Sequence, residues 1–250
     1  MIETTDNAFL GGRLHILQPK AGYRAGADPV FLAAAVDAKP GQSVLDLGCG
    51  VGTAMLCLSA RVPDLVLTGV DLQEEMVHLA TENMARNGVE GAVSHASIVD
   101  LPADLKSRRF DHVMSNPPFF DRAKGSQAHQ TGRELGRGET LGVSAWIDAA
   151  LKRVLPGGQI TLVGRVERLP EYIASIGPRA GGVKVLPLAP RRTRPAKLFL
   201  LRAISGSNAP FCLLPPFVLH QGDHHEKDGE SYSAEAQAVL RNGAALPFNN

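Results

Sequence analysis

The sequence predicts an α/β fold in which a mostly parallel sheet is covered by helices on both faces. Three observations predict it. Short runs of Val, Leu and Ile alternate with amphipathic segments along most of the chain. A glycine-rich turn, DLGCGVGT (residues 46–53), follows one of these apolar runs. Another run, FDHVMS, leads directly into Asn116-Pro117-Pro118-Phe119. The 250 residues fit one large domain with ample core. Apolar residues make up 44% and charged residues 20%, the composition of a globular chain.

The elements follow in order. Residues 1–27 read as a leader, with a strand at 13–18 (RLHILQ) and a turn-rich stretch after it. Asp28-Pro29 predicts a helix start, with Asp28 as N-cap and proline in the first turn. The near-continuous apolar run 30–36 makes that helix buried, and Lys39-Pro40-Gly41 ends it. Ser43–Leu47 is a strand, residues 48–52 the turn after it, and 53–61 a helix stopped by Pro63. A second strand covers 65–70. Residues 73–87 form an amphipathic helix with Met76, Val77, Ala80 and Met84 on one face, closed by Asn87-Gly88. Strands follow at 92–98 and Phe110–Ser115.

The stretch from Phe119 to about Leu141 reads as a long loop, the kind that often carries function. A helix at 143–155, a turn at Pro156-Gly157-Gly158 and a strand at 159–163 come next. Leu169–Ile176 is a helix, and 183–186 and 197–203 are closing strands. In the tail, 211–219 reads as a strand and 233–241 as a helix with Ser233 as N-cap. The expected division is a leader at 1–27, the main domain at 28–204, and an extension at 205–250 packed on it.

Composition narrows function. A net charge of +1 argues against a uniformly basic nucleic-acid binder. The charge is unevenly spread, however. No acid occurs from residue 172 to residue 222, while Arg179, Lys184, Arg191, Arg192, Arg194, Lys197 and Arg202 are all basic. A local basic face is therefore expected in the C-terminal third. Cys49, Cys57 and Cys212 show no paired or CxxC spacing, which suits a reducing cytosol and offers no zinc site. The N-terminus lacks the pattern of a signal peptide, and no apolar run is long enough to span a bilayer. His224-His225 beside Asp223 reads as a solvated loop rather than a metal site.

The turn has Gly48, Gly50 and Gly52, preceded by Asp46; the place of the third glycine in GxGxxG is Thr53. Glycines let the backbone fold tightly and approach a ligand closely. Asp71, at the end of the second strand, is placed to accept both hydroxyls of a ribose. This combination resembles the class I S-adenosylmethionine-dependent methyltransferases. The resemblance implies a seven-stranded Rossmann-like sheet with helices on both faces. It implies that Asp46, Gly48, Cys49, Gly50 and Gly52 face the amino-acid end of the cofactor, that Asp71 holds the ribose, and that Leu72 flanks the adenine. Many relatives carry an acid at the end of the third strand. Ser97 stands there in this chain, with Ile98 to pack on the adenine and Asp100 as a substitute for the acid.

Asn116-Pro117-Pro118-Phe119 suits a planar amine acceptor. The lone pair of such a nitrogen is delocalised, so two hydrogen-bond acceptors aimed at its hydrogens favour attack on a methyl group. The Asn116 side-chain oxygen and the Pro117 carbonyl are the candidates, with Pro117 and Pro118 stiffening the turn. Phe119 supplies a flat face for the acceptor and Phe120 assists. No metal is required.

The motif resembles methyltransferases of adenine N6, of guanine N2 in ribosomal RNA, and of glutamine in release factors. Residues 18–28, QPKAGYRAGAD, with the apolar helix after them, resemble the bacterial tRNA (adenine-N6) methyltransferase family acting on valine tRNA. So does the closing ESYSAE at 230–235. That resemblance places Tyr23, Arg24, Gly26 and Asp28 near the cofactor or at the mouth of its pocket. Gln127-Ala128-His129-Gln130 departs from the family's usual run. The resemblance implies S-adenosylmethionine as cofactor, tRNA as partner and a cytoplasmic location. The target base would be turned out onto Phe119, with Arg191, Arg192, Arg194 and Lys197 on phosphates. A protein-glutamine methyltransferase and a non-catalytic cofactor- or RNA-binding protein are the alternatives.

Overall fold

A computed structural model describes residues 2–22, 24–118, 141–222 and 231–248. Eleven strands and seven α-helices are defined among them. In chain order these are β1 (Thr4–Phe9), β2 (Leu14–Pro19), α1 (Asp28–Ala35), β3 (Ser43–Leu47), α2 (Thr53–Ser59), β4 (Val66–Asp71), α3 (Glu74–Arg86) and β5 (Gly91–His95). There follow α4 (Ala103–Ser107), β6 (Phe110–Ser115), α5 (Val143–Arg153), β7 (Val154–Arg165), α6 (Leu169–Ile176), β8 (Ala180–Ala189), β9 (Leu198–Ser205), β10 (Cys212–Leu213), β11 (Phe217–Val218) and α7 (Ala234–Asn242).

The main sheet runs β10-β8-β9-β7-β6-β3-β4-β5, with β11 also pairing β8. Every pairing is parallel except those of β9 with β7 and β8. Seven of these strands form the expected sheet, and β10 and β11 add short pieces to its outer edge. Order reverses at β3, which lies between β4 and β6. Helices feed both faces from that point, so the C-terminal ends of β3 and β6 open beside each other at a switch point.

Strand pleating divides the core. Val44, Met114, Val163 and Leu200 point into one cluster with α1, α2, α7 and the N-terminal strands. Leu45, Leu47, Val113, Leu162 and Leu201 point into the other with α4 and α5. Strands buried on both faces read as unbroken apolar runs, which is why SVLDL and ITLV stand out in the sequence.

Several boundaries differ from expectation. The leader contains an unanticipated strand: β1 pairs antiparallel with β2, from Thr4↔Pro19 to Phe9↔Leu14. Asn83 of α3 docks this pair, accepting from Leu17 N at 2.7 Å and donating to the Leu17 carbonyl at 3.0 Å. Asp28 is not the N-cap of α1. Ala27 takes that place without a side-chain bond, and Asp28 is the first helical residue. The strand expected at 92–98 stops at His95. The Pro156-Gly157-Gly158 turn is instead an irregular stretch of β7, where the pairing with β6 shifts register between Phe110 and His112. The strand expected at 211–219 is split into β10 and β11, with Pro215-Pro216 between them removing backbone donors. Ser233 caps α7 as expected, accepting from Ala236 N at 3.0 Å.

Candidate active site

The turn after β3 is shaped by its glycines. Gly48, Gly50 and Gly52 have φ of +70°, +53° and +84°, a region that side chains avoid. At Gly48 a Cβ would also stand 2.7 Å from the Trp146 ring. At Gly50 no described atom lies within 4 Å of that position, so the backbone there carries nothing toward the cleft from the described residues. Gly48 N and Cys49 N both donate to the Val70 carbonyl, at 2.8 and 3.0 Å, which binds the turn to the end of β4.

Two carboxylates lie under this turn. Asp71 Oδ2 accepts from Gly50 N at 2.8 Å, and Oδ1 accepts from Gln73 N at 2.9 Å. Burial raises its pKa, opposed by the N–H donors of Gln73, Gly50 and Leu72 and by His95. Asp46 is 2% exposed, and its carboxylate receives no hydrogen bond from a described residue. Burial pushes the Asp46 carboxyl well above the usual range, and the neighbouring Asp71 pushes it further. The Cys49 thiol is pushed well up by burial and then by the same two acids, which leaves it protonated and unreactive.

A cleft with about 480 Å³ of open space lies over the turn. Asp46, Gly48, Cys49 and Gly50 form one wall, Gln18, Ala25 and Pro29 another, and Asn116 the end of β6. Of the expected cofactor residues, Asp46, Gly48, Cys49 and Gly50 are thus brought together with Asn116. Gly52 starts α2 in a left-handed conformation. Asp71 and exposed Leu72 lie along the end of β4, where Leu72 accepts from His95 Nε2 at 2.9 Å. Ser97 and buried Ile98 follow β5, beyond the lining of the cleft. Ser97 Oγ accepts from Val99 N at 3.4 Å, while Asp100 is turned to solvent in an ion pair with Lys106 at 2.7 Å. That pairing holds the Asp100 carboxyl below the usual carboxylate range, so Asp100 is occupied elsewhere.

Segment 18–28 covers the cleft by a route the sequence did not reveal. Buried Gln18 accepts from Ala25 N at 2.7 Å, folding the segment back on itself. Arg24 is drawn into the same fold, donating to the Pro19 carbonyl at 3.0 Å and to Asn7 Oδ1 at 2.9 Å, and does not line the cleft. Gly26 is exposed, and Asp28 sits at the start of α1 within the field of Arg165. Asn83 was missed as well: it donates to the Val51 carbonyl at 3.0 Å and so ties the glycine turn to β2. An asparagine on the apolar face of an amphipathic helix was its one signal. Tyr23, Phe119, Phe120, residues 127–130, 223–225 and Glu230 lie outside the described residues.

Pro117 is buried and Pro118 exposed after half-buried Asn116. Thr53, which replaces the third glycine of the fingerprint, lines the cleft with a buried Oγ1 that has no hydrogen-bond partner among the described residues. A bare glycine backbone, an unengaged buried carboxylate and an orphan hydroxyl suit a ligand with a cationic, donor-rich end. S-adenosylmethionine has such an end, so the residues present fit that cofactor.

The basic face is smaller than expected, and Arg191 is not part of it. Arg191 is 6% exposed and donates through Nη1 to the Gln221 and Gly222 carbonyls, at 2.6 and 2.5 Å. Arg179 pairs with Asp148, Arg202 with Asp37, and Lys184 donates to the Phe248 carbonyl. A sequence cannot show which cations are consumed by carbonyls and distant acids. Arg192, Arg194 and Lys197 remain exposed on the β8–β9 connection, with no ion pair among the described residues. Within the described residues no helix is long and apolar enough to cross a membrane, and no cluster of three metal-ligating side chains occurs.

Residues 26–170 match the methyltransferase small domain model. The chain is 26% identical over 140 residues to a tRNA1(Val) (adenine(37)-N6)-methyltransferase of Glaesserella parasuis, covering 56% of this chain and 58% of that one. A Porphyromonas gingivalis protein of the same name is 30% identical over 190 residues, covering 70% and 74%. Among solved structures, a predicted O-methyltransferase of Agrobacterium tumefaciens superposes with a TM-score of 0.69 at 25% identity, covering 87% of this chain and 97% of that one. The chain thus spans 58% and 74% of the length of the two tRNA-methyltransferase relatives, less than two thirds of the first.

Proposed function

The chain belongs to the methyltransferase small domain family, with the class I fold and S-adenosylmethionine as cofactor, and from that premise we propose that it methylates adenine N6 in tRNA. One observation carries the choice of an amino acceptor: Asn116, at the head of Asn-Pro-Pro-Phe, lines the same cleft as Asp46 and the glycine turn. When bound, S-adenosylmethionine supplies a methyl group on a sulfonium. Asp46 and the bare backbone at Gly50 hold its amino-acid end, and Asp71 its ribose. Asn116 Oδ1 and the Pro117 carbonyl accept from the two hydrogens of the acceptor nitrogen and stabilise the positive charge that develops there. Pro117 and Pro118 keep the two acceptors aligned, and alignment is the protein's main contribution. The names of the tRNA-methyltransferase relatives, and three exposed cations with no ion pair among the described residues, support an RNA acceptor. Segments 1–27 and 205–250 serve as parts of the same unit, the first covering the cofactor and the second facing RNA.

Incubation with labelled donor and separate tRNA and protein pools tests this. Label is expected in tRNA, and nucleoside mass spectrometry should identify it as N6-methyladenosine. Label confined to protein would favour the glutamine alternative and end the RNA reading.

A further inference from the structure

Helix α3 does for β2 what a third strand would do. β2 pairs with β1 along one edge. Along its other edge Leu17 and His15 direct N–H and C=O at α3, where two asparagines meet them. Asn83 accepts from Leu17 N at 2.7 Å and donates to the Leu17 carbonyl at 3.0 Å. Asn87 does the same at His15, at 3.0 and 2.9 Å. A primary carboxamide carries a donor and an acceptor, as a peptide group does. Four residues of helix rise about 6 Å and two residues of strand about 6.8 Å, so the two side chains fall in register with alternate residues of β2.

The two asparagines differ in one bond. Asn83 is fully buried, and its Nδ2 also donates to the Val51 carbonyl at 3.0 Å. Asn87 donates instead to the Asn83 carbonyl at 2.8 Å, inside its own helix. Val51 stands in the glycine turn between Gly50 and Gly52 and lines the cofactor cleft. Leu17 is followed by Gln18, which lines another wall of that cleft and bonds Ala25 there. Asn83 is thus bonded from behind to both walls, although it does not line the cleft.

This placement carries a consequence for binding. A turn built on three glycines of positive φ has little stiffness of its own. A cofactor seated on the turn fixes where the Val51 carbonyl points. Through Nδ2 it then fixes the carboxamide on which Leu17 hangs. Such a coupling is reciprocal: a seated β2 favours the turn geometry that the cofactor needs, by the same factor.

We propose that Asn83 is a positioning residue that couples cofactor occupancy of the glycine turn to the seating of β2, without touching the cofactor. The proposal rests on S-adenosylmethionine as cofactor and on no choice of acceptor, so it stands or falls apart from the RNA reading. Hydrogen exchange of the wild-type protein, with and without S-adenosylmethionine, is the first measurement. The cofactor should slow exchange of the Leu17 amide about tenfold. Asn83→Asp keeps the size of the side chain and the acceptor for Leu17 N but cannot donate to the Leu17 and Val51 carbonyls. It should weaken S-adenosylmethionine binding about tenfold by calorimetry and erase the cofactor-dependent protection of Leu17. Asn87→Ala loosens β2 at His15 but has no bond to the turn, so it should lower the melting temperature and leave both cofactor affinity and Leu17 protection unchanged. Equal weakening of cofactor binding by the two variants would overturn the proposal, because affinity would then follow the docking of β2 in general. Exchange at Leu17 that ignores the cofactor in the wild-type protein would overturn it too, and that measurement needs no variant to fold. Wild-type protein that binds no S-adenosylmethionine would overturn the proposal and the cofactor assignment together.

Discussion

The two ends of the sheet's C-terminal edge handle charge in opposite ways. At the switch point beside β3 the ionisable groups are buried acids: Asp46 is 2% and Asp71 8% exposed, and Asp71 is held by the backbone N–H groups of Gly50 and Gln73. At the outer end beside β8, charge is positive and exposed on Arg192, Arg194 and Lys197, with one buried exception in Arg191. A buried acid in a shaped cleft is strongly sensitive to a single small cation. Exposed cations interact weakly and additively with many phosphates and are screened by salt. The first arrangement suits a small cofactor and the second a long polyanion.

The largest expected effect tests the chemistry at the inner end. Asn116→Ala should reduce methyl transfer by about 10² to 10³ while leaving S-adenosylmethionine affinity within about twofold by calorimetry. Retained turnover would show that the amine is not aligned through this side chain.

A smaller effect concerns the buried acid. Burial and Asp71 raise the Asp46 pKa, so the folded protein holds that proton more tightly than the unfolded chain. Its contribution to stability is therefore complete at low pH and lost as pH rises through the raised value. Asp46→Asn removes that loss, and thermal melts above it should shift upward. Cofactor binding should respond in the opposite sense. Wild-type affinity should rise with pH as Asp46 ionises, and the variant should bind at least about tenfold more weakly with a flatter profile. Asp71 and Cys49 face the same carboxyl, so the profile reports the group rather than one residue. A variant that melts lower at neutral pH would contradict the assignment of Asp46 as an unengaged buried acid.

The smallest effects separate neighbouring arginines at the outer end. Arg191→Ala removes a donor from the Gln221 and Gly222 carbonyls and should destabilise by about 1–3 kcal/mol in denaturant melts. The salt slope of RNA binding should not change. Arg194→Ala should leave the melt unchanged and lower the slope by about 0.7. Reversal of this pattern would mean that Arg194 supports the fold and Arg191 meets the RNA.

Much of this was legible beforehand where the signal is local. Ser43–Leu47, Phe110–Ser115 and Leu169–Ile176 fall where their periodicity places them, because each is set by its own apolar run and flanking breakers. The glycine turn was equally plain, since only glycine takes positive φ freely. Errors arose where partners are remote in sequence. β1 needs β2 to exist as a strand, and β2 in turn is docked by α3, whereas the division of 211–219 follows from Pro215-Pro216, a local signal passed over. Asp28 had the residue type of a cap, but helix α1 begins one residue earlier because Val30 N and Phe31 N bond the Ala27 carbonyl.

By itself the sequence determined the α/β class and the positive-φ glycine turn after β3, because these depend on residue type and short spacing. Tertiary structure alone decided that Gln18 bonds Ala25 at the wall of the cleft, that Asn83 joins β2 to the glycine turn, and that Arg191 is sealed inside while Arg192 is exposed. Those outcomes turn on which distant carbonyl or carboxamide is within about 3 Å, and in a folded chain that distance is set by packing rather than by order along the sequence.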